Sequence, residues 1–286
     1  MSTFVFQVIG LALLMVGLIA GDATLQRRAP LSGAARQARI LAVMAGVGGL
    51  VGAAAWWQNL PFAFSWALPP LAARLLAVAG IAFGVTALRA AWTGTTGHLR
   101  LIAVLLAVYL GPLAVAAVTL HLDRFDFAAP VTYVFFAIVL GMLAAALTAC
   151  FRLAGDRRGL SFGRLKLVGT LAGLWGLVLF LWPAGPLQPL WPWPKDPLTT
   201  RLIAAMFLTV AAACLYAKGP AERRTVDMLC LIYGSGVVTV LTLAILAGKP
   251  ALWAYLAFWA VVALQSATAL FSDRAAWPIP APSRRG

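Results

Sequence analysis

Acidic side chains are scarce in this chain. Eight Asp and Glu stand among 286 residues, against 22 Lys and Arg, and charged residues of both signs make up only 10%. A soluble domain carries roughly 25%, so a water-facing surface cannot be clothed from this supply. Histidine is limited to His98 and His121, and cysteine to Cys150, Cys214 and Cys230, with no CxxC pair. A disulfide framework is therefore not expected, and the cysteines read as small buried hydrophobes. No GxSxG, HExxH, Walker A or dinucleotide fingerprint stands in a setting that would give it chemistry. Without a nucleophile–base pair or ligands at metal spacing, the sequence predicts a non-enzyme with no metal and no cofactor.

What is present is apolar. Hydrophobic residues make up 63% of the chain, and the mean hydropathy is +0.93. Lipid must then be the solvent for most of the surface. Charges and prolines cut the sequence into nine apolar stretches: Thr3–Gly21, Arg39–Trp57, Leu71–Trp92, Leu99–Leu120, Pro130–Phe151, Leu167–Trp182, Thr200–Ala217, Asp227–Ala247 and Ala251–Phe271. Each approaches the ~20 residues that a helix needs to cross ~30 Å of hydrocarbon. The expected fold is an all-α integral membrane protein, a polytopic bundle of about nine transmembrane helices. Arg27 and Arg28 follow the first stretch rather than precede it, the reverse of a cleaved leader, so it reads as a retained span.

The formal net charge of +14 invites a nucleic-acid reading, but no loop is long enough to fold as a basic module. Topology accounts for the charge better. Of the 22 Lys and Arg, 17 fall in one alternate set of loops and five in the other. The rich set is cytoplasmic by the positive-inside rule. An odd helix count then puts the N-terminus outside and the C-terminus in the cytoplasm of a bacterial inner membrane. Trp56, Trp57, Trp66, Trp182, Trp191, Trp193 and Trp253 fall at the outer boundary and Trp92 and Trp277 at the inner one, as an aromatic belt requires. All eight acids map to loops or helix ends, Asp227 among them, so a proton- or sodium-coupled mechanism lacks its usual buried carboxylate.

An internal likeness adds to this plan. At an offset of 127 residues, Trp66 and Trp193, Pro70 and Pro197, Leu71 and Leu198, Arg74 and Arg201, Leu75 and Leu202, and Ala77 and Ala204 coincide. Weaker correspondences link Arg39 with Arg164, Arg100 with Arg224 and Tyr109 with Tyr233. The pattern predicts a duplicated four-helix unit, 1–129 and 130–247, followed by a ninth helix at 248–271 and a cytoplasmic tail at 272–286. An even-numbered unit inserts the same way twice, so the copies are parallel repeats. Gly46, Gly49 and Gly52 in the second stretch, and Gly169, Gly173 and Gly176 in the sixth, predict close helix packing. Gln7, Tyr109, Thr170, Tyr233, Ser235 and Gln265 within spans read first as bonds between helices.

The candidate binding residues are Arg74 and Arg201 with Trp66 and Trp193, two cations at equivalent outer positions able to clamp an anionic headgroup or solute. Ordinary interfacial anchoring is the plainer reading of the same residues. The expected function is binding or translocation of a small or lipid-like solute, anionic or neutral, between the repeats. A non-catalytic scaffold subunit, docking a membrane-protein partner through the ninth helix, is the alternative. The lipid bilayer is the one partner expected on either reading.

Overall fold

A computed structural model describes residues 16, 18–60, 66, 68–153, 163–185, 196–249 and 253–272. Within them the chain is helical, with no strand among the described residues. Residues 18–28 form the described part of α1. There follow α2 (Gly33–Trp57), α3 (Pro70–Thr93), α4 (Thr96–Val115), α5 (Pro130–Arg152), α6 (Arg164–Leu181), α7 (Pro197–Tyr216), α8 (Pro220–Leu246) and α9 (Trp253–Ser272). Helix α4 runs on through a wide π turn at Ala116–Leu120 and a short 3-10 turn at Leu122–Arg124. Eight of the described helices, α2 to α9, are long and apolar enough to cross a membrane. The chain is a multi-pass helical membrane protein. The first expected span, Thr3–Gly21, lies mostly outside the described residues.

The helix starts have local causes. Pro70, Pro130, Pro197 and Pro220 open α3, α5, α7 and α8, where a missing N–H costs nothing. Asp196 caps α7 by accepting from the Thr199 N–H at 3.3 Å and from the Thr199 hydroxyl. Glu222 folds back to accept from the Lys218 and Gly219 N–H groups at 2.9 and 3.3 Å, which satisfies two otherwise orphaned donors of α8. That cap starts α8 seven residues ahead of the stretch expected from Asp227, and α6 begins one turn ahead of Leu167. Apolar length alone misses both, because the leading turns carry the charged residues that reach toward water.

Packing centres on α3, α4, α7 and α8. Helix α2 lies on α3, and α6 lies on α7; α3 meets α8 while α4 meets α7; α5 flanks α4, and α9 flanks α8. Helix α7 is the most enclosed, whereas α5 and α9 present most of their surface outward. The α2–α3 seam is backbone against backbone. A Cβ on Gly49 would stand 2.8 Å from the Gly80 carbonyl oxygen, and one on Gly84 would stand 2.8 Å from that of Gly46. Small residues are what admits so close an approach in lipid, where burial of apolar surface does not drive helices together. On the far flank, Gly234 faces the Trp259 carbonyl, and Trp259 is wholly buried against Tyr233, Phe207 and Phe258.

Helices alternate in direction, so α1, α3, α5 and α7 finish at one end of the bundle. Most of the arginines gather there: Arg28 stacks 3.8 Å over Trp92, and Arg100 lies 5.7 Å over Tyr216. We refer to it as the basic end. At the opposite end Trp57, Trp182 and Trp253 are exposed, as belt residues should be. Trp66 is not: it is buried, edge-on to Phe125 at 5.5 Å and Phe135 at 5.6 Å, and so ties the segment ahead of α3 to α5.

Candidate functional site

A cavity of about 310 Å³ lies halfway along the bundle. Its walls come from α2, α3, α4, α5, α7 and α8, with Met44, Tyr109, Met142, Met206 and Tyr233 among the residues facing it. Tyr109 sits near the middle of α4, Met206 near that of α7 and Tyr233 near that of α8, so the space falls close to the bilayer midplane. Gly48 on α2 and Ile138 on α5 line it and are exposed, which places its opening between those two helices, toward lipid.

Among the described residues, the lining contains no Lys, Arg, His, Asp or Glu. Its polar atoms are few. The Thr209 hydroxyl already donates to the Ala205 carbonyl at 2.7 Å; the other polar side-chain groups of the lining are the phenols of Tyr109 and Tyr233 and the indole of Trp56. An ion entering here would shed its water and find no counter-charge, at a cost no neutral molecule meets. At about 30 Å³ for each water-sized group, the volume admits roughly ten non-hydrogen atoms. A whole phospholipid does not fit; a short apolar segment or a small neutral molecule with one hydrogen-bonding group does. The three methionines add soft, adaptable walls.

Polar groups close the bundle on both sides of this space. At the end away from the basic residues, Arg201 donates from Nε to the Phe180 carbonyl at 3.1 Å and from Nη1 to His121 Nε2 at 2.6 Å. A guanidinium has only donors, so His121 is the acceptor and its ring is neutral. Burial, reinforced by the Arg201 charge, holds the His121 imidazole below its usual range, in keeping with that role. Arg124 reaches Asp196 at 3.8 Å nearby. Toward the basic end, Asp227 is buried and takes Arg164 Nη2 at 2.7 Å on both of its oxygens. The helix-end position expected for Asp227 is thus two turns inside α8, with a cation drawn in from α6 to match it. Cys214 and Cys230 are buried side by side with Sγ atoms 3.8 Å apart.

Of the residues singled out from sequence, Arg74 is exposed on the first turns of α3. Arg201 is committed to Phe180 and His121, Trp66 is enclosed by aromatic rings, and Trp193 lies outside the described residues. Arg74 and Arg201, equivalent in sequence, therefore occupy different surroundings. His121 is tied to α7; His98 is buried in the first turn of α4 with Nδ1 at 2.7 Å from the Thr95 hydroxyl. No group of three or more His, Cys, Asp or Glu at metal-binding distance occurs among the described residues. The midplane cavity is the feature that sequence reading missed. Its one signal there was Tyr109 and Tyr233, two phenols at corresponding positions inside spans. The chain matches no family model, no curated protein and no solved structure.

Proposed function

We propose that this protein binds, and passes across or along the membrane, a small neutral lipid-like molecule held in the midplane cavity between two parallel four-helix repeats. The observation that carries the reading is the cavity itself. It is apolar, uncharged, centred at mid-depth, open toward lipid and furnished with two phenols to orient a guest. Its size is at the lower end of ligand pockets, about 300 Å³ and upward.

Several contacts support the duplication. The α2–α3 and α6–α7 seams are counterparts, as are α4–α5 and α8–α9, and as are α3–α8 and α7–α4. Gly46 packs against Gly84, and Gly173 against Ala211, pairs related by the same offset of 127 that relates Arg74 to Arg201. Tyr109 and Tyr233 then face the cavity from equivalent helices. Binding at a repeat interface near the midplane is a recurrent plan in transporters. In this reading the basic end is cytoplasmic in a bacterial inner membrane. Arg201 and His121 are struts that hold the outer side shut across the two repeats. Arg74, exposed on the first turns of α3, is proposed to form the approach for a guest with a polar head.

The test uses the purified full-length protein. Small apolar compounds extracted from it are identified by mass spectrometry and compared with those from Gly48→Leu, which fills the cavity at a position with open space around it. A neutral compound enriched in the wild type and lost from a folded, monodisperse Gly48→Leu supports the reading. Identical extracts from both overturn it. A stoichiometric protein partner with no such compound would favour the scaffold reading, in which the outward surface of α9 is the docking face.

A further inference from the structure

At the end away from the basic residues, two pieces of the bundle are fastened by polar contacts. On one side, the turn that follows α4 is joined to the start of α5. Phe125 stacks on Phe135 with 5.3 Å between ring centroids, and the Thr132 hydroxyl donates to the Asp126 carbonyl at 2.7 Å. On the other side, Arg201 near the start of α7 is bound to the Phe180 carbonyl in the last turn of α6. His121 meets Arg201 across the joint at 2.6 Å, and Arg124 meets Asp196 at 3.8 Å. The second contact is long and its arginine is half-exposed, so it contributes little. The first is short, and it requires a ring nitrogen with a free lone pair.

Helix α4 is built to give way between this joint and the cavity. Tyr109 and Leu110 line the cavity. Beyond them come Pro112 and the π turn at Ala116–Leu120. Pro112 has no N–H to donate to the Val108 carbonyl, and proline and π turns are both points at which helices bend. The chain past the joint enters α5, whose Ile138 stands at the cavity opening. Among the described residues, the charged groups acting on the His121 ring are Arg201 and Asp196 from the start of α7 and Asp123 and Arg124 from its own turn, two of each sign. A proton on the ring tips this set to positive and turns the acceptor that faces Arg201 into a donor, so the 2.6 Å hydrogen bond becomes a contact between two cations. From this we propose that His121 and Arg201 form a proton-operated latch: acid at that end of the bundle parts the last turns of α4 from α7 and opens it. The use of the latch rests on the cavity reading above, in which the opened end is where the guest enters or leaves. Burial and the Arg201 charge hold the ring below its usual range, so the latch is closed at neutral pH and yields in acid.

The test reads the distance across the joint in the full-length protein. Spin labels are placed at Ala128→Cys and Leu181→Cys, both exposed, in a Cys150→Ala background; Cys214 and Cys230 are buried and escape labelling. Electron paramagnetic resonance in phosphatidylcholine nanodiscs compares about pH 7.5 with about pH 5, on either side of the ordinary histidine value. His121→Gln keeps a neutral acceptor at every pH, and His121→Lys carries a fixed charge. In the labelled parent, a longer-distance population appears as the pH falls below about 6.5 and grows about tenfold per pH unit until it saturates. It stays absent in His121→Gln and is present at both pH values in His121→Lys. A shift in His121→Gln as large as that in the parent, no shift in the parent, or a folded His121→Lys that is closed at neutral pH overturns the latch. The distances are read with no guest added. A failed latch therefore leaves the cavity reading standing, and identical extracts from wild type and Gly48→Leu leave the latch standing.

Discussion

Gly48 and Gly49 are neighbours in α2 with opposite surroundings, and this sets up a sharp prediction. A methyl group added at Gly49 would lie 2.8 Å from the Gly80 carbonyl oxygen and 3.6 Å from the Gly84 Cα. Both atoms are backbone, so no side chain can swing aside. To restore an ordinary C···O approach of about 3.3 Å, α2 and α3 must part by about half an ångström along their shared face. Overpacking of this kind costs about 1–3 kcal/mol. At Gly48 the same methyl meets nothing within 4 Å, and replacing a helical glycine by alanine gains up to about 1 kcal/mol from backbone entropy. The backbone gain is common to both positions, so the two alanine variants, identical in composition and hydropathy, should differ by the overpacking cost, about 1–3 kcal/mol. Unfolding in a rising mole fraction of SDS, followed by circular dichroism and tryptophan fluorescence, measures the difference. Equal midpoints for the two variants, or a lower one for Gly48→Ala, would falsify the backbone-to-backbone seam.

Two further outcomes follow from the polar contacts. The depressed His121 value means that the folded state prefers the neutral ring, so its contribution is whole above about pH 6.5, the unfolded value. It drains away as the pH falls from there toward the lower folded value. Wild type and His121→Gln should accordingly show the same pH dependence of thermal unfolding above that point and diverge below it, with the wild type losing more; parallel curves throughout would remove His121 from its role as acceptor for Arg201. Asp227→Ala strands Arg164 and should cost about 1–3 kcal/mol, less than a fully buried pair because Arg164 is one-third exposed. Replacing both residues by leucine should recover much of that loss, and a double-mutant cycle that finds no coupling between them would contradict the contact.

Much of the architecture was legible in composition and spacing. The spans from α2 to α9 follow from apolar length, and their boundaries deviate mainly where a cap extends a helix into charged sequence, as Glu222 does for α8. The Gly46–Gly49 and Gly169–Gly176 faces were readable because small residues recur at helical spacing and serve one main purpose in lipid. Side-chain company was not readable. Trp66 has the composition of a belt residue, yet Phe125 and Phe135, from separate elements, enclose it. His121 stands 80 residues from Arg201, and nothing local distinguishes it from a solvated loop histidine. The cavity left the least trace, because its walls are mostly Met, Gly, Ala and Leu from six helices and the space between them is a property of assembly.

That the walls come from residues as far apart as Met44 and Tyr233 also bears on how the protein is made. Membrane helices insert one by one and associate afterwards. At about 5–20 residues per second, the ribosome needs roughly ten to forty seconds to go from Met44 to Tyr233. During that interval α2, α3 and α4 stand in the bilayer with the faces that will line the cavity uncovered. A chain that stalls before α8 keeps those faces open to any passing hydrophobic segment and offers a guest nothing to hold. Quality control of this protein is therefore expected to act on half-made bundles, and a ligand can rescue a weak variant only once the eighth helix is in place.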